Sequence, residues 1–377
     1  MNEIGCYIHI PFCDHKCVYC DFYSIITTNN SGVFLKSLKT EIERYAAEYS
    51  ESKKIKTIFF GGGTPSLMSA EFISEIIQTL RKNFPVNEAA EITLETNPGT
   101  VDISKLNEFR DAGINRLSVG VQSFDDDDLK FLTRIHNRET AIKTVEDAAN
   151  AGFENISVDL IFNLPGQTKE KWLDNLETAV ALPVKHISAY SLILERGTIL
   201  NKMVLDGKVK ISGEETDAEL YENTIDFLTA KNFLQYEVSN FAKEKFKCEH
   251  NLLYWKRKEY FGFGPSAHSF IDGKRWWNYS SLGFYNRAIA EKRNAARNGE
   301  TLLPEEMREE YILLNLRAEG LNRLEFLQKF GEDFFEKKNS YIKTLFREGF
   351  ISETEGIIRL TKKGYLLCDE IIAGLID

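Results

Sequence analysis

The sequence lacks long apolar runs, an excess of positive charge and any repeated segment. No stretch of its 377 residues approaches the roughly 18 consecutive apolar residues of a membrane-spanning helix. The first residues also lack the basic and apolar regions of a secretory signal peptide. With a formal net charge of −10, the chain has no overall electrostatic preference for nucleic acid. These absences predict a cytoplasmic protein that is not itself a membrane protein and does not bind nucleic acid.

Cysteine is scarce, with six residues, yet four of them lie within residues 4–23. Three of these four form the pattern C-x3-C-x2-C on a short loop: Cys13, Cys17 and Cys20. In a reducing cytosol, clustered thiols indicate a metal site more often than a disulfide. They can hold three corners of an iron–sulfur cluster, or a zinc ion if Cys6, His9 or His15 is the fourth ligand.

A cluster with only three cysteine ligands leaves one iron open to a small molecule, and iron–sulfur radical chemistry depends on such an open iron. Two other features are not expected to bind metal. Cys248 and Cys368 are isolated in the sequence and are predicted to be inert. The run Asp125–Asp128 is predicted to be the acidic first turn of a helix, where negative charge favours the helix dipole.

Short apolar runs alternate with longer segments of helical period, which is the pattern of repeated βα units around a parallel sheet. Six strands are predicted, at residues 4–10, 56–60, 90–95, 115–119, 155–161 and 186–192. Helices are predicted near residues 32–49, 69–83, 103–111, 138–150, 168–181 and 214–231. Several runs, TIFF among them, are apolar on both faces, as buried parallel strands require. The predicted fold is α/β, an open, partial (β/α)6 barrel, although spacing alone does not exclude a doubly wound sheet.

The residues after each predicted strand are polar or rich in glycine, and in a barrel they would meet at one mouth. After the cysteine loop they are Gly61–Ser66, Glu95, Gln122, Arg134 and Asp159. Glycines 61–63 lack side chains, so a ligand could reach their backbone N–H groups. Glu95 could bind an amine or hydroxyls, and Arg134 could pair with a carboxylate. The alternatives are a routine glycine turn, a surface carboxylate and a solvated arginine.

The alternation of predicted strands and helices ends at about residue 233. An aromatic-rich stretch follows, which is predicted to cover the barrel mouth. Four of its residues fall within six positions: His250, Asn251, Tyr254 and Trp255. They predict either a packed aromatic corner or a site for a flat hydrophobic ligand with an axial imidazole, the usual protein ligand of haem iron.

Residues 305–377 contain several predicted helices and a β pair at 350–351 and 357–360, which is typical of a winged-helix-like module. Because no basic cluster marks a recognition helix, a protein-contact or lid role is favoured. The chain is also too long for one ordinary core. The predicted division is a barrel at residues 1–232, a barrel-capping region at 233–300 and a smaller C-terminal α+β domain at 301–377.

Seven segments, in order across residues 7–168, resemble the oxygen-independent coproporphyrinogen III oxidase group of radical S-adenosylmethionine (SAM) proteins. They are YIHIPFC, KCVYCDF, FFGGGTPS, LETNPG, GVQSF, R-x-H and VDLIFNLPGQT. The resemblance implies that the three loop cysteines hold a [4Fe-4S] cluster whose fourth iron is chelated by SAM, which electron transfer then cleaves. It also implies that the following residues line the SAM site: Tyr7, Tyr19, Gly62, Gly63, Thr64, Glu95, Gln122, Arg134 and Asp159.

Three features are similar to the haem-chaperone branch of this group rather than to its oxidases. Phe22 stands where the oxidases have a fourth cysteine, and the first strand begins without their N-terminal extension. The segment 250–255 matches the motif HNxxYW, which is linked to haem binding in that branch. The resemblance implies a chaperone that binds haem and passes it to an acceptor, such as a membrane-associated respiratory haem protein. The alternative is an enzyme that oxidatively decarboxylates coproporphyrinogen III.

Overall fold

The computed structural model describes residues 1–376, and the first half of the chain forms six parallel strands. The strands are β1 (Asn2–Ile10), β2 (Lys53–Gly62), β3 (Val86–Thr96), β4 (Arg116–Gln122), β5 (Asn155–Phe162) and β6 (His186–Ser191). Each strand pairs in parallel with the next one along the chain. In β1 the side chains of Ile4, Cys6, Ile8 and Ile10 are fully buried, as expected of a strand near the centre of a covered sheet.

Helices connect these strands. They are α1 (Ser31–Tyr49), α2 (Ala70–Asn83), α3 (Ile103–Asp111), α4 (Asp126–Phe131), α5 (Arg138–Asn150), α6 (Lys169–Ala181), α7 (Ile199–Leu205) and α8 (Glu214–Ala230), with a 3-10 turn at Pro65–Leu67. Polar side chains accept backbone N–H groups at several of the helix starts, which fixes where those helices begin. Ser69 caps α2 and Thr168 caps α6 in this way. Asp125 caps α4, whose first turn is acidic as predicted.

The second half of the chain adds strands to both edges of the sheet. They are β7 (Leu234–Gln235), β8 (Asn240–Ala242), β9 (Tyr260–Phe263), β10 (His268–Ile271), β11 (Lys274–Asn278) and β12 (Ala296–Thr301). Strand β9 lies parallel to β1, while β8 lies antiparallel to β6. The helices α9 (Glu249–Trp255) and α10 (Leu282–Lys292) lie between these strands in the sequence. Residues 233–300 thus supply hydrogen-bond partners to both exposed edges of the parallel sheet.

The C-terminal residues have a hydrophobic core of their own, in which Tyr311, Phe326, Ile358 and Ile372 are buried. Its helices are α11 (Pro304–Leu316), α12 (Arg323–Phe330), α13 (Phe334–Lys337), α14 (Asn339–Arg347), α15 (Lys362–Leu366) and α16 (Cys368–Ile376). Its sheet has the order β13 (Leu321–Asn322), β15 (Ile357–Leu360) and β14 (Ile351–Thr354). The β pair expected in this segment is therefore present, as the antiparallel strands β14 and β15.

The α/β class and the six βα units predicted from the sequence are confirmed. Strands β1 to β6 follow one another in chain order, whereas a doubly wound sheet reverses its order at a switch point. The sheet stays open, because β6 is followed by β8 and not by β1. The domain boundaries at residues 232 and 300 stay predictions, and residue 377 lies outside the described residues.

Across residues 1–376 we find no helix with the length and apolarity needed to cross a membrane.

Candidate functional site

A cavity of about 410 Å³ lies at the carboxyl ends of the parallel strands. It brings together residues from the cysteine loop and from the ends of β2, β3, β4 and β5. The predicted site residues that line it are Cys13, Cys17, Tyr19, Cys20, Gly62, Gly63, Thr64, Glu95, Gln122, Arg134 and Asp159. Tyr7 does not line this first cavity and lies instead in a second, adjoining cavity. Residues separated by more than a hundred positions thus meet at one mouth, as a barrel requires.

The cysteine loop is tied back to the end of β1. The backbone N–H of Cys13 donates to the carbonyl of Ile25 at 3.0 Å, and the N–H of Ile25 donates to Pro11 at 2.7 Å. Further along, the N–H of Cys20 donates to the carbonyl of Cys17 at 3.2 Å. Because the loop closes on itself, its three thiols are held half-buried at the cavity wall.

The remaining three cysteines are buried. Burial raises the pKa of the Cys248 thiol to about 12 and that of Cys368 to about 11, so both stay protonated at neutral pH. This agrees with the prediction that these two residues are inert.

The three loop thiols line one wall of the first cavity. Within residues 1–376 no group of three or more His, Cys, Asp or Glu side chains converges on a position for one metal ion. A [4Fe-4S] cluster binds each of its cysteines at a different iron atom. Three accessible thiols lining one cavity therefore suit the cluster.

A chain of hydrogen bonds connects Arg134 to the cysteine loop. Its guanidinium donates to the Asn97 side-chain oxygen and to the Gly120 carbonyl, both at 2.8 Å, and lies 3.6 Å from the Cys17 sulfur. Asn97 in turn donates to Thr64 at 2.9 Å. The Nε of Arg134 is buried without a partner among the described residues, which leaves a donor for a ligand.

Two half-buried carboxyl groups form another wall of the cavity. The N–H of Gly62 donates to Glu95 at 3.2 Å, and the Ser118 hydroxyl donates to Asp159 at 3.0 Å. Burial, and secondarily the nearby charge of Asp159, raises the pKa of Glu95 to about 8. Burial likewise raises the pKa of Asp159. A ligand that carries positive charge would stabilise the ionised form of both carboxyl groups and so lower their pKa values.

The glycine turn after β2 has a different role from the one expected. The N–H of Gly63 donates to the Ile10 carbonyl at 2.8 Å, and the N–H of Thr64 donates to Phe12 at 2.7 Å. With Gly62 bound to Glu95, these three N–H groups are not free for a ligand. A Cβ at Gly63 would lie 2.5 Å from the Phe12 carbonyl oxygen, so glycine is needed for the close approach of two chain segments.

The second cavity measures about 610 Å³ and adjoins the first. It is lined by His250, Asn251 and Tyr254 of helix α9, together with Tyr7 and other residues of the sheet. Both cavities are lined by Gly62, Glu95, Ser118, Asp159 and Tyr190. Trp255, the fourth predicted haem residue, is half-buried and is not part of the lining.

Helix α9 is anchored to the parallel sheet. The carboxylate of Glu91, on β3, accepts the backbone N–H groups of Glu249 at 3.1 Å and His250 at 3.0 Å. The imidazole of His250 is hydrogen-bonded to the Thr57 hydroxyl at 2.7 Å and to the Tyr254 hydroxyl at 2.9 Å. Burial, and secondarily the charge of Arg116, lowers the pKa of His250 to about 3, so the ring is neutral.

The sequence prediction did not include Asn97 or Arg116. Asn97 follows Glu95 at the end of β3, a position that could have marked it as a site residue. Arg116 begins β4, away from the carboxyl end of that strand, and nothing in its sequence context marks it. It is nevertheless buried, lines the second cavity, and has an Nε without a partner among the described residues. Buried and positively charged, it could bind a ligand carboxylate.

Comparisons with known proteins agree with this geometry. The profile of the Radical SAM superfamily matches residues 7–179, and that of the HemN C-terminal domain matches residues 302–367. The heme chaperone HemW of Bacillus subtilis (strain 168) is 37% identical and the match covers 98% of both chains. HemW of Lactococcus lactis is 33% identical, over 97% of this chain and 95% of its own.

Among solved structures, coproporphyrinogen III oxidase (HemN) from Escherichia coli matches with a TM-score of 0.84. The alignment covers 99% of this chain and 90% of HemN, at 24% identity, which is a likeness of fold. The partial barrel of the radical SAM type and the smaller C-terminal domain are thereby confirmed. By full-length similarity to its curated relatives, the chain belongs to the HemW family of radical SAM proteins.

Proposed function

We propose that this protein is a haem chaperone that binds a [4Fe-4S] cluster, SAM and haem, and that it passes the haem to an acceptor protein. The observation that carries the proposal is the second cavity, which is lined by three residues of the HNxxYW motif and shares a wall with the cavity of the cysteine loop. The relatives named heme chaperone HemW match this chain over nearly its whole length, which supports the same function.

In the first cavity, Cys13, Cys17 and Cys20 would hold the cluster, which supplies an electron for the reductive cleavage of SAM. Arg134 would donate its unpaired Nε–H to the SAM carboxylate, while Glu95 and Asp159 would face the positively charged parts of the ligand. The other residues of the proposed SAM site are Tyr7, Tyr19, Gly62, Gly63, Thr64 and Gln122.

In the second cavity, Asn251 and Tyr254 would contact haem beside His250. Tyr254 stacks edge-on against Tyr260, with ring centroids 4.6 Å apart, so the wall presents aromatic surface to a flat ligand. Arg116 would pair with a propionate at the inner end of the cavity. Trp255 does not line the cavity, so it would support the lining residues and would not contact haem directly.

The competing function is the oxidative decarboxylation of coproporphyrinogen III. The chain shares its fold with HemN, which is a coproporphyrinogen III oxidase. Two parallel experiments separate the functions. The full-length protein is reconstituted anaerobically, titrated with haem, and incubated with coproporphyrinogen III, SAM and reductant. We expect a saturable one-to-one haem complex, release of that haem to a haem-depleted acceptor apoprotein, and no porphyrinogen turnover. Turnover without a saturable haem site would refute the proposal.

A further inference from the structure

The second cavity contains three of the six histidines of the chain, and two of them have their ring nitrogens occupied. His250 is hydrogen-bonded to Thr57 and Tyr254. His9 is hydrogen-bonded to the Tyr7 hydroxyl at 3.1 Å and to the Tyr23 carbonyl at 2.9 Å. Because both histidines are buried as well, either one would have to lose a hydrogen bond before it could bind iron.

The third histidine, His268, differs in both respects. It is exposed at the start of β10, and neither ring nitrogen has a hydrogen-bond partner within residues 1–376. The ring is still partly desolvated at the cavity wall, and this desolvation, with the charge of Arg275 as the second cause, lowers its pKa, so the neutral form that ligates metals prevails at neutral pH. An imidazole that is neutral, accessible and without a partner is the form that an iron ion requires.

The position of His268 is fixed by its surroundings. Its ring stacks on Trp277 of the paired strand β11, with centroids 5.6 Å apart and an angle of 24° between the planes. On the other side, a Cβ at Gly262 would lie 2.0 Å from the His268 carbonyl oxygen, so glycine permits the close approach of β9 and β10. The imidazole is thus held at the cavity wall while its nitrogens stay open.

We propose that His268 supplies an axial imidazole to haem iron in the second cavity, whereas His250 shapes the wall through its bonds to Thr57 and Tyr254. The inference rests on the proposed function, because it assumes that haem binds in this cavity. It assigns the bond to iron to a residue outside the HNxxYW motif. The motif would then recognise the macrocycle, and β10 would anchor the metal.

The test uses the full-length protein with its cluster reconstituted. Ferric haem is added to the wild type and to His268→Ala, and each sample is compared with haem-free protein by difference absorbance and low-temperature EPR. We expect His268→Ala to shift the Soret band, to change the EPR signal of the ferric haem and to bind haem about 10-fold or more weakly. Exogenous imidazole should restore the wild-type Soret band and haem affinity in His268→Gly, which shows that the cavity is intact.

Two controls complete the experiment. His15→Ala removes another exposed imidazole, which lies at the first cavity, and should leave the haem spectrum unchanged. An unaltered spectrum in His268→Ala would overturn this inference alone, as would an equal loss in His15→Ala. A wild-type protein without a saturable haem site would instead overturn the proposed function, and the two failures are therefore distinguishable.

Discussion

The six cysteines differ in exposure, and this difference separates candidate ligands from inert thiols. Cys13, Cys17 and Cys20 are half-buried on one loop, whereas the other three lie fully within the protein. Iron–sulfur ligation needs thiolates that a metal can reach, and burial in apolar surroundings suppresses the thiolate. The local sequence pattern and the local structure thus select the same three residues.

Replacing any one loop cysteine by alanine is expected to abolish most of the bound iron and the visible absorbance of the reconstituted protein. The substitution removes one of the three protein ligands of the cluster, so two of its four irons are left without a cysteine. The matched control is Cys368→Ala, in the C-terminal core, which should retain the cluster. Iron analysis and absorbance after anaerobic reconstitution provide the measurement. Stoichiometric zinc in place of iron would contradict the assignment.

Glu95 is expected to lose a proton when SAM binds. Its pKa of about 8 lies above neutral pH, so the group is mostly protonated in the free protein at pH 7. The positive charge of SAM favours the carboxylate, which lowers this pKa and releases a proton. SAM affinity should therefore rise as the pH increases from about 6 to 8, and the binding enthalpy should depend on the ionisation enthalpy of the buffer.

Calorimetry of SAM binding in two buffers, for the wild type and for Glu95→Gln, measures this effect. The variant cannot ionise at this position. Its binding enthalpy should therefore depend less on the ionisation enthalpy of the buffer, and the difference from the wild type gives the fraction of a proton that Glu95 releases. Asp126→Asn, at the exposed start of α4, serves as the control. The same buffer dependence in Glu95→Gln and in the wild type would show that the proton comes from another group.

Sequence reasoning found residues that lie at strand ends and missed residues whose neighbours are set only by the fold. Glu95, Gln122 and Asp159 could be predicted, because the carboxyl ends of parallel strands share one edge. Arg116 and His268 could not, since their importance depends on what surrounds them in the fold. The same limitation explains Gly63, whose sequence suggests ligand access although the fold requires glycine for chain packing.

Among the elements, helix α9 depends on a residue that is distant in sequence. Cys248, at its N-cap position, makes no side-chain cap, and Glu91 of β3 accepts the N–H groups that the start of the helix leaves open. The helix that carries the whole HNxxYW motif is therefore held directly by the barrel. Its short length makes this support important, because seven residues are not stable as an isolated helix.

Glu91→Ala is expected to destabilise α9 by about 1–3 kcal/mol, since it leaves two partly buried N–H groups without an acceptor. Hydrogen exchange of the amides of residues 249–255 should accelerate, and haem affinity should fall while the cluster is retained. Glu249→Ala is the matched control, because that carboxylate is exposed on the same helix and makes a surface ion pair with Lys56 at 3.3 Å. Unchanged exchange in Glu91→Ala would rule out this role for the residue.

The six βα units could be predicted because buried parallel strands and amphipathic helices produce strong, distinct periodicities. The edge strands could not. Strand β12 has the sequence ARNGET and is almost wholly exposed, so it has no hydrophobic pattern, and its pairing with β11 is set by tertiary structure. Strand β9 reaches β1 from more than 200 residues away, and no local signal specifies such a contact.

At the scale of the whole molecule, two cavities share one wall. Gly62, Glu95, Ser118, Asp159 and Tyr190 line both of them. The cysteine loop and strands β2 to β6 line the first cavity, whereas α9, β9 and β10 complete the second. The residues of the second half therefore both close the edge of the sheet and form a ligand cavity. Two ligands bound this close interact through the charges of the shared wall.

SAM is expected to increase the affinity of the protein for haem. The carboxylate form of Asp159 disfavours the haem propionates, and the positive sulfonium of SAM offsets its charge at the shared wall. The coupling should lie in the usual range of about 1–3 kcal/mol, or about 5- to 150-fold in the dissociation constant. Haem titrations with and without saturating SAM, in the absence of reductant so that SAM stays intact, measure it.

The coupling must also be reciprocal, so haem should tighten SAM binding by the same factor. S-adenosylhomocysteine provides the matched control, because it fills the same site without the sulfonium charge and should increase haem affinity less. A haem dissociation constant that is independent of SAM would mean that the two ligands do not meet at this wall. An equal effect of both ligands would instead assign the coupling to ordering of the shared residues, because charge is the main difference between them.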